Sequence, residues 1–273
     1  MTAHQRNYTV LAVIILFNTC TACYAQSLPS SPTEKPAMVV QGPLWGAVWH
    51  QKAAEYKALC FQAYNIGRLR LDMLLQQSHA KPLAIVTDID ETALDNSAFT
   101  VHQAMRDSGY TESGWLQWSA QASADTVPGA LSFLQYASSR GVDIFYITNR
   151  TEAEEGVTLQ NLRHWKFPQA LADHIFPRQT TSGKEARRQI VAQTHEIGLL
   201  FGDNLSDFSA VFDRKPYAER NEMVQANAAL FGDRFIVLPN AMYGDWEGAL
   251  YNFDFKHSPA QRDTMLIKQL RTY

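Results

Sequence analysis

A chain of 273 residues, 46% of them hydrophobic, is long enough to bury a sizeable core, as one large domain or as a core with a smaller appendage. Its formal net charge of −3 is spread over interspersed acidic and basic residues. That leaves no basic stripe of the kind that holds nucleic acid through its phosphates, so a small ligand is the expected partner.

At the start of the chain, His4 and Arg6 precede a wholly apolar run, Val10 to Phe17. Small residues follow in Thr19-Cys20-Thr21-Ala22-Cys23-Tyr24-Ala25. This three-part layout reads as a secretory signal peptide over residues 1–25. The run is shorter than the roughly 20 apolar residues that cross a bilayer. Two cleavage points compete: after Ala25, or before Cys23, which would make that cysteine a lipid-bearing terminus. Bacterial lipoproteins usually carry Leu three residues before the cysteine, where this chain has Cys20. Either way the protein is expected to be exported, to the periplasm, to the outer membrane through a lipid anchor at Cys23, or into the medium. Cleavage leaves Cys60 alone or with Cys23, so no disulfide framework is expected. Cys60, at helical spacing within Ala58-Leu59-Cys60-Phe61-Gln62-Ala63-Tyr64, reads as a small buried hydrophobe and not as a nucleophile.

Residues 26–44, with Pro29, Pro32 and Pro36 among Ser, Thr and Lys, read as a tether to a folded domain over 45–273. From Trp45 to about Gln77, apolar residues recur at helical spacing (Trp45, Val48, Trp49, Ala53, Tyr56, Leu59, Cys60, Ala63, Tyr64), which predicts one or two amphipathic helices with an aromatic stripe toward the core. Lys81-Pro82 breaks that pattern, and the sheet-bearing core is placed from about residue 81 onward. The continuous apolar run Leu83 to Thr87 suits a strand buried on both faces. Val142 to Thr148, His195 to Phe201 and Arg234 to Leu238 resemble it. Helical patterns over Gly129–Arg140, Glu152–Trp165 and Gly183–Ala192 separate these runs. Strands alternating with helices predict a parallel sheet covered on both faces, with ligands beyond the carboxyl ends of the strands. Residues 96–127, rich in Trp, Gln, Ser and Ala, interrupt the alternation and read as a small helical cap above those ends.

The strand ends are where the chemistry gathers. Asp88-Ile89-Asp90-Glu91-Thr92 follows the first strand, Thr148-Asn149-Arg150 the second, and Gly202-Asp203-Asn204-Leu205-Ser206-Asp207 the third. Lys184 opens a helix after Thr180-Thr181-Ser182-Gly183. Asp88 and Asp90 leave their strand as alternate residues, so a turn can face both toward one site. Several carboxylates in one small space repel one another unless a cation sits among them, and Mg²⁺ is satisfied by one or two carboxylates with waters and phosphate oxygens. Thr148 offers a hydroxyl and nearby backbone N–H groups, and Lys184 a fixed positive charge, as phosphoryl transfer requires. An aspartate nucleophile that divides the reaction through an aspartyl-phosphate is a known form of covalent catalysis. Each piece alone is common: Lys184 could be a solvated helix start, and Asp203 and Asp207 ordinary caps. An EF-hand is disfavoured, because Thr92 and Ala93 stand where its third ligand and turn glycine belong. The order of the pieces carries the assignment.

In this order the set resembles the haloacid dehalogenase superfamily. The string Ile85-Val86-Thr87-Asp88-Ile89-Asp90-Glu91-Thr92-Ala93-Leu94-Asp95-Asn96 is similar to one branch of it, the bacterial class C acid phosphatases, which include outer-membrane lipoprotein 5′-nucleotidases. Gly202 to Phe208 and Leu238-Pro239-Asn240-Ala241-Met242-Tyr243-Gly244 match that branch too, and the resemblance runs from about Trp45 to Gly248. It implies an α/β fold with a Rossmann-like parallel sheet, helices on both faces, a small helical cap and an N-terminal helical segment. It also implies Mg²⁺-dependent hydrolysis of phosphate monoesters, with nucleoside 5′-monophosphates as the expected substrates. Asp88 would then be nucleophile and metal ligand. Asp90 would protonate the leaving oxygen, activate the hydrolytic water, and bind Mg²⁺ through its backbone carbonyl. Asp203 would be the third protein ligand, and Asp207 would support a metal-bound water or Lys184. Thr148 and Lys184 would hold phosphoryl oxygens, with Asn149 and Asn204 as supporting residues. No histidine is needed, and Arg163-His164, followed by Trp165, lacks the context of histidine phosphatases.

In the lipoprotein nucleotidases, aromatics at positions resembling Trp115 and Tyr243 clamp the base of a nucleoside monophosphate; Trp118 is a third candidate. Stacking of this kind is worth about 1–3 kcal/mol per base. The plainer alternative is that these rings pack the cap against the core. Asp245, after Tyr243-Gly244, departs from the pattern and adds an acid near an anionic ligand. Two other functions stay open: an exported binding lipoprotein with a vestigial site, and a phosphotransferase that uses the same aspartyl-phosphate. The intact set speaks against the first, because binding alone does not require Asp90 as an acid. The resemblance also implies an acidic optimum and homodimers, which no residue here demonstrates.

Overall fold

The structure, a computed structural model, describes residues 37–273. The expected signal peptide, Cys23 and the tether up to residue 36 lie outside the described residues. Helix α1 (Met38–Lys52) is followed, after the extended Ala53, by α2 (Ala54–Leu74). The tether read over 26–44 is therefore corrected: from Met38 onward the chain is helical, with Pro43 inside the helix. The reason lies far along the chain, since the N–H groups of Met38 and Val39 donate to the Asp263 carboxylate at 2.6 and 2.9 Å. A cap borrowed from the last helix leaves no local sign. The aromatic stripe is corrected in part as well, because Trp45 is 76% exposed and Leu59 is exposed too. The buried face of α2 is Tyr56, Cys60, Ala63, Tyr64, Gly67 and Leu71, at the spacing that one helical face requires.

The chain then runs through β1 (Leu83–Thr87), the short β2 (Leu94–Asp95), α3 (Ser97–Ala104), α4 (Glu112–Ser119) and the short β3 (Asp125–Thr126). Next come α5 (Ala130–Ser139), β4 (Asp143–Thr151), α6 (Glu155–His164), β5 (Ile175–Arg178), α7 (Glu185–Thr194) and β6 (Glu196–Gly202). The last elements are α8 (Tyr217–Ala226), β7 (Phe235–Val237), α9 (Asp245–Ala249) and α10 (Pro259–Ile267). Five strands form one parallel sheet in the order β5-β4-β1-β6-β7. The four expected strands are all present, to within three residues at each end. Strand β5 was not expected: it is four residues long, contains Pro177 and stands at the sheet edge, where a missing N–H is tolerated.

Every residue of β1 is buried, because both faces of the sheet are covered. Ile85, with Ile144, Tyr146, Leu199 and Phe201, packs against the buried faces of α2 and α5. Ala84 and Val86 turn the other way, onto Phe145, Leu200, Phe235 and Val191 of α7. Strands β2 and β3 pair antiparallel, Leu94 opposite Thr126, so the excursion holding α3 and α4 leaves and rejoins the core at one neck. The Thr111 side chain caps α4 by accepting the Gly114 N–H at 3.1 Å. Among the described residues no helix is long and apolar enough to cross a membrane.

Gly67 sets how closely α2 approaches the sheet. A Cβ there would stand 2.5 Å from Phe201 Cζ, and the Phe201 ring cannot retreat because it is buried and stacked on Tyr64 at 5.3 Å. Alanine gains about 1 kcal/mol in helix propensity, whereas overpacking costs about 1–3 kcal/mol. The overlap should win. Gly67→Ala is expected to lower unfolding stability by up to about 2 kcal/mol in urea denaturation; a raised midpoint would show that helix and sheet separate freely here.

Candidate active site

In this sheet the chain moves outward from β1 in both directions, to β4 and β5 on one side and to β6 and β7 on the other. The loops at the carboxyl end of β1 therefore diverge and leave a crevice at the switch point. Asp88 is the first residue beyond β1, and its N–H donates to the Phe201 carbonyl of β6 at 2.9 Å, which pins it in the crevice. The next residues close a tight turn in which Glu91 takes φ +58°, a left-handed conformation rare for a residue with a side chain. Turn hydrogen bonds go to the carbonyls of Ile89 and Leu94 and leave that of Asp90 free among the described residues.

Lys184, at the start of α7 and only 3% exposed, is ion-paired with Asp88 and, at 2.6 Å, with Asp207. Burial alone would lower its pKa, but the two aspartates outweigh that and raise it. Asp207 reaches Lys184 because Gly202 has no side chain: a Cβ there would overlap the Asp207 side chain. The turn carrying Asp207 closes on itself, its Oδ2 accepting the Asn204 N–H at 2.9 Å. Arg188 holds the same turn by donating to the carbonyls of Ser206 and Asp207 at 3.0 and 2.8 Å. Asp203 accepts from Asn240 Nδ2 at 2.8 Å, and the Thr92 hydroxyl approaches it at 3.5 Å.

Asp88, Asp203 and Asp207 each bring a carboxylate oxygen within 4.8 Å of the others. Three carboxylates face one ammonium, and burial together with that imbalance shifts two of them. Burial pushes Asp88 from 3.8 up to about 7, with Lys184 pulling down and Asp207 and Asp90 pushing up. Burial, then Asp207 and Asp88, push Asp203 well above the usual range. Both oxygens of Asp207 are taken, by Lys184 and by the Asn204 N–H. That leaves Asp88 Oδ2 and an Asp203 oxygen, hard oxygen donors of the kind a divalent cation takes. The cluster can hold a divalent metal.

Asp90 is gripped from two sides. The Arg150 guanidinium takes both its oxygens, with Nη2 at 2.7 Å from Oδ1 and Nε at 3.2 Å from Oδ2. Asn96 Nδ2 donates to Oδ1 at 2.9 Å. Thr148 is fully buried, with its hydroxyl 3.5 Å from Asp90 Oδ2. Asn149 is exposed, and its side chain accepts from Arg187 at 2.9 Å. Arg187 also donates to the carbonyls of Thr148, Phe176, Ser182 and Gly183, so one side chain ties β4, β5 and the loop before Lys184 together. Asn204 accepts from Arg220 at 3.0 Å.

Of the three candidate substrate aromatics, Trp118 packs against the core, and its indole N–H donates at 2.9 Å to Oδ1 of Asn96, the residue that also bonds Asp90. Trp115 donates to Glu154 at 2.8 Å, meets Phe99 edge-on, and has the Arg150 guanidinium 5.4 Å from its ring. Tyr243 is partly exposed and its hydroxyl bonds the buried Glu91, whose pKa burial and then Asp90 drive well up. Asp245 opens α9 and lies 4.0 Å from Arg220. Sequence reasoning passed over Arg150, Glu91, Asn96, Arg187 and Asn240. Arg150 and Glu91 stood inside the strings already singled out, beside Thr148 and Asp90, and a buried-charge argument could have reached them.

The family model described as HAD superfamily, subfamily IIIB (acid phosphatase), matches residues 33–246. The chain belongs to this family. It is 44% identical to the class C acid phosphatase from Bacillus anthracis, with a TM-score of 0.83 over 86% of this chain and 99% of that one. A second structure of that enzyme, with tungstate bound, matches at the same identity and TM-score over 98% of its chain. The protein is thus a class C acid phosphatase, a phosphomonoesterase, with the parallel-sheet fold expected for it. The acid cluster, Lys184 and the Asp90–Arg150 pair are the polar groups this acid phosphatase assembles at its switch point.

The raised pKa of Asp88 has a consequence for the metal-free enzyme. A folded value near 7 against an ordinary 3.8 means that its contribution to stability is complete below about pH 4 and is lost as the pH rises toward 7. With chelator present, Asp88→Asn should therefore gain thermal stability relative to the wild type as pH goes from about 4 to about 7. A difference that shrinks over this window would show that Lys184 already neutralises Asp88.

Proposed function

We propose that this phosphatase hydrolyses phosphate monoesters, nucleoside 5′-monophosphates in particular, with Mg²⁺ and through an aspartyl-phosphate on Asp88. The observation that carries the reading is the excess of buried carboxylate over ammonium around Asp88, Asp203 and Lys184. A divalent cation would balance that charge and draw off negative charge from the phosphoryl oxygens; Asp88, Asp203 and the Asp90 carbonyl would hold it. The tungstate bound to the Bacillus anthracis enzyme is an oxyanion related in shape to phosphate, which supports an oxyanion ligand for this family.

Asp88 attacks phosphorus, forming an O–P bond as the bond to the leaving alcohol breaks. Asp90 gives its proton to that alcohol. Thr148 and Lys184 hold the equatorial oxygens, where charge accumulates. Water then attacks the phosphorus with Asp90 taking its proton, the bond to Asp88 breaks, and free phosphate leaves. Arg150 and Asn96 fix the direction of Asp90, so that its proton travels a short, set path. Trp115 and Tyr243 are the rings proposed to hold the base. The same reading places the enzyme outside the cytoplasm, on the layout of residues 1–25.

Phosphate release from nucleoside monophosphates and p-nitrophenyl phosphate tests the chemistry. Asp88→Asn should lose activity by about 10³-fold or more while remaining folded, and thorough chelation should abolish wild-type turnover until Mg²⁺ is restored. Normal hydrolysis by the variant, or indifference to chelation, would rule out the assignment. For the clamp, Trp115→Ala should cut kcat/KM for adenosine 5′-monophosphate about tenfold more than for p-nitrophenyl phosphate. Equal losses would reduce Trp115 to a packing residue.

A further inference from the structure

Next to the phosphoryl site lies a second cavity, of about 510 Å³, lined by Thr151, Glu152, Arg178, Gln179, Thr180 and Ser182. Its walls are the last residues of β4 and β5 and the loop that leads to Lys184. Thr151 and Arg178 stand opposite each other in the register of the two strands. Thr151 is three residues beyond Thr148, about 10 Å of extended chain.

Charge in this cavity is unevenly satisfied. Arg187, beneath the loop, directs its donors to the carbonyls of Thr148, Phe176, Ser182 and Gly183 and to Asn149. Arg178 has no carboxylate, carbonyl or hydroxyl partner among the described residues, although it is more than half buried. The one carboxylate in the lining, Glu152, already accepts from Gln179 Nε2 at 2.7 Å. Glu154, next along, is buried and bonded to Trp115 and Thr151. Burial lowers the Arg187 pKa, and Arg178 is near enough to push it the same way. The cavity thus joins a free guanidinium to the hydroxyls of Thr180 and Ser182, the chemistry that receives a phosphate or carboxylate.

Burial and then Glu112 raise the pKa of Tyr110 on the cap, and Arg178 acts against them, so the guanidinium is within electrostatic reach of that phenol. The Tyr110 ring is in turn 6.5 Å from that of Trp115.

We propose that this cavity is an anion subsite, centred on Arg178, that favours phosphomonoesters carrying a second negatively charged group about 10 Å or less from the scissile phosphorus. It rests on the reading that the first phosphoryl group sits at Asp88, Thr148 and Lys184. One anion taken by a guanidinium and neighbouring hydroxyls is worth about a tenfold preference.

Initial phosphate release from adenosine 3′,5′-bisphosphate and adenosine 5′-monophosphate tests it, as the ratio of the two kcat/KM values in the wild type, Arg178→Ala, Arg178→Lys and Arg178→Glu. The ratio should fall about tenfold in Arg178→Ala, mainly through KM, recover in part in Arg178→Lys, and fall furthest in Arg178→Glu. A ratio that is the same in the wild type and in Arg178→Ala overturns the subsite. Wild-type hydrolysis of p-nitrophenyl phosphate, lost in Asp88→Asn, reports on the catalytic reading separately, so either can fail without the other.

Discussion

The structure turns on one ammonium group shared by two carboxylates out of reach of water. Lys184 holds Asp88 and Asp207 together, with Asp203 close by and, among the described side chains, no second cation paired directly with any of the three. Charges removed from water lose several kcal/mol of solvation each, and an imperfect ion pair does not return it. The surrounding residues are arranged to make this burial tolerable. Gly202 lets Asp207 come in against the strand, Arg188 fixes the turn that carries it, and Asn240 and Asn204 supply donors to Asp203 and to the loop. What remains uncompensated is the excess of carboxylate over ammonium, which a cation held by the cluster would balance.

Sheet topology explains why the groups meet. Asp88, Thr148, Lys184 and Asp203 come from four separate stretches, yet all stand near the carboxyl ends of neighbouring strands, and β1 is the strand from which the chain departs both ways. This much was legible in the sequence. Apolar runs of five to seven residues mark strands buried on both faces, and polar residues placed right after them can only gather at one edge. The residues that orient this set were not legible, for a physical reason. Arg150 takes its meaning from Asp90, a partner 60 residues earlier, and α1 takes its cap from Asp263, 225 residues later. Local pattern carries no trace of such pairs. Strand β5 escaped notice because an edge strand needs little apolar length and can include a proline.

The arginines divide the labour in a way lysines could not. Arg150, Arg187 and Arg188 each present a planar fork to several fixed acceptors, joining loops distant in sequence at defined angles. Lys184, a compact charge with three rotatable donors, is shared between Asp88 and Asp207, and could trade one carboxylate for another oxygen without losing its fixed geometry. Loops that would otherwise move are thus set before substrate enters, so little reorganisation is left for the transition state, the condition under which aligned dipoles and charges lower a barrier most.

Preorganisation and instability have the same origin here. Carboxylates spaced to receive a cation repel one another when none is present, and the upward shifts of Asp88 and Asp203 express that repulsion together with their loss of water. A site relaxed enough to be comfortable when empty would have let Asp203 turn outward or Asp207 swing off Lys184, and would then have to be rebuilt at each turnover. Asn240 holds Asp203 against this, and Gly202 with the Asn204–Asp207 turn holds Asp207. The fold holds the acids in place against their own repulsion, which ties metal occupancy to stability as well as to catalysis.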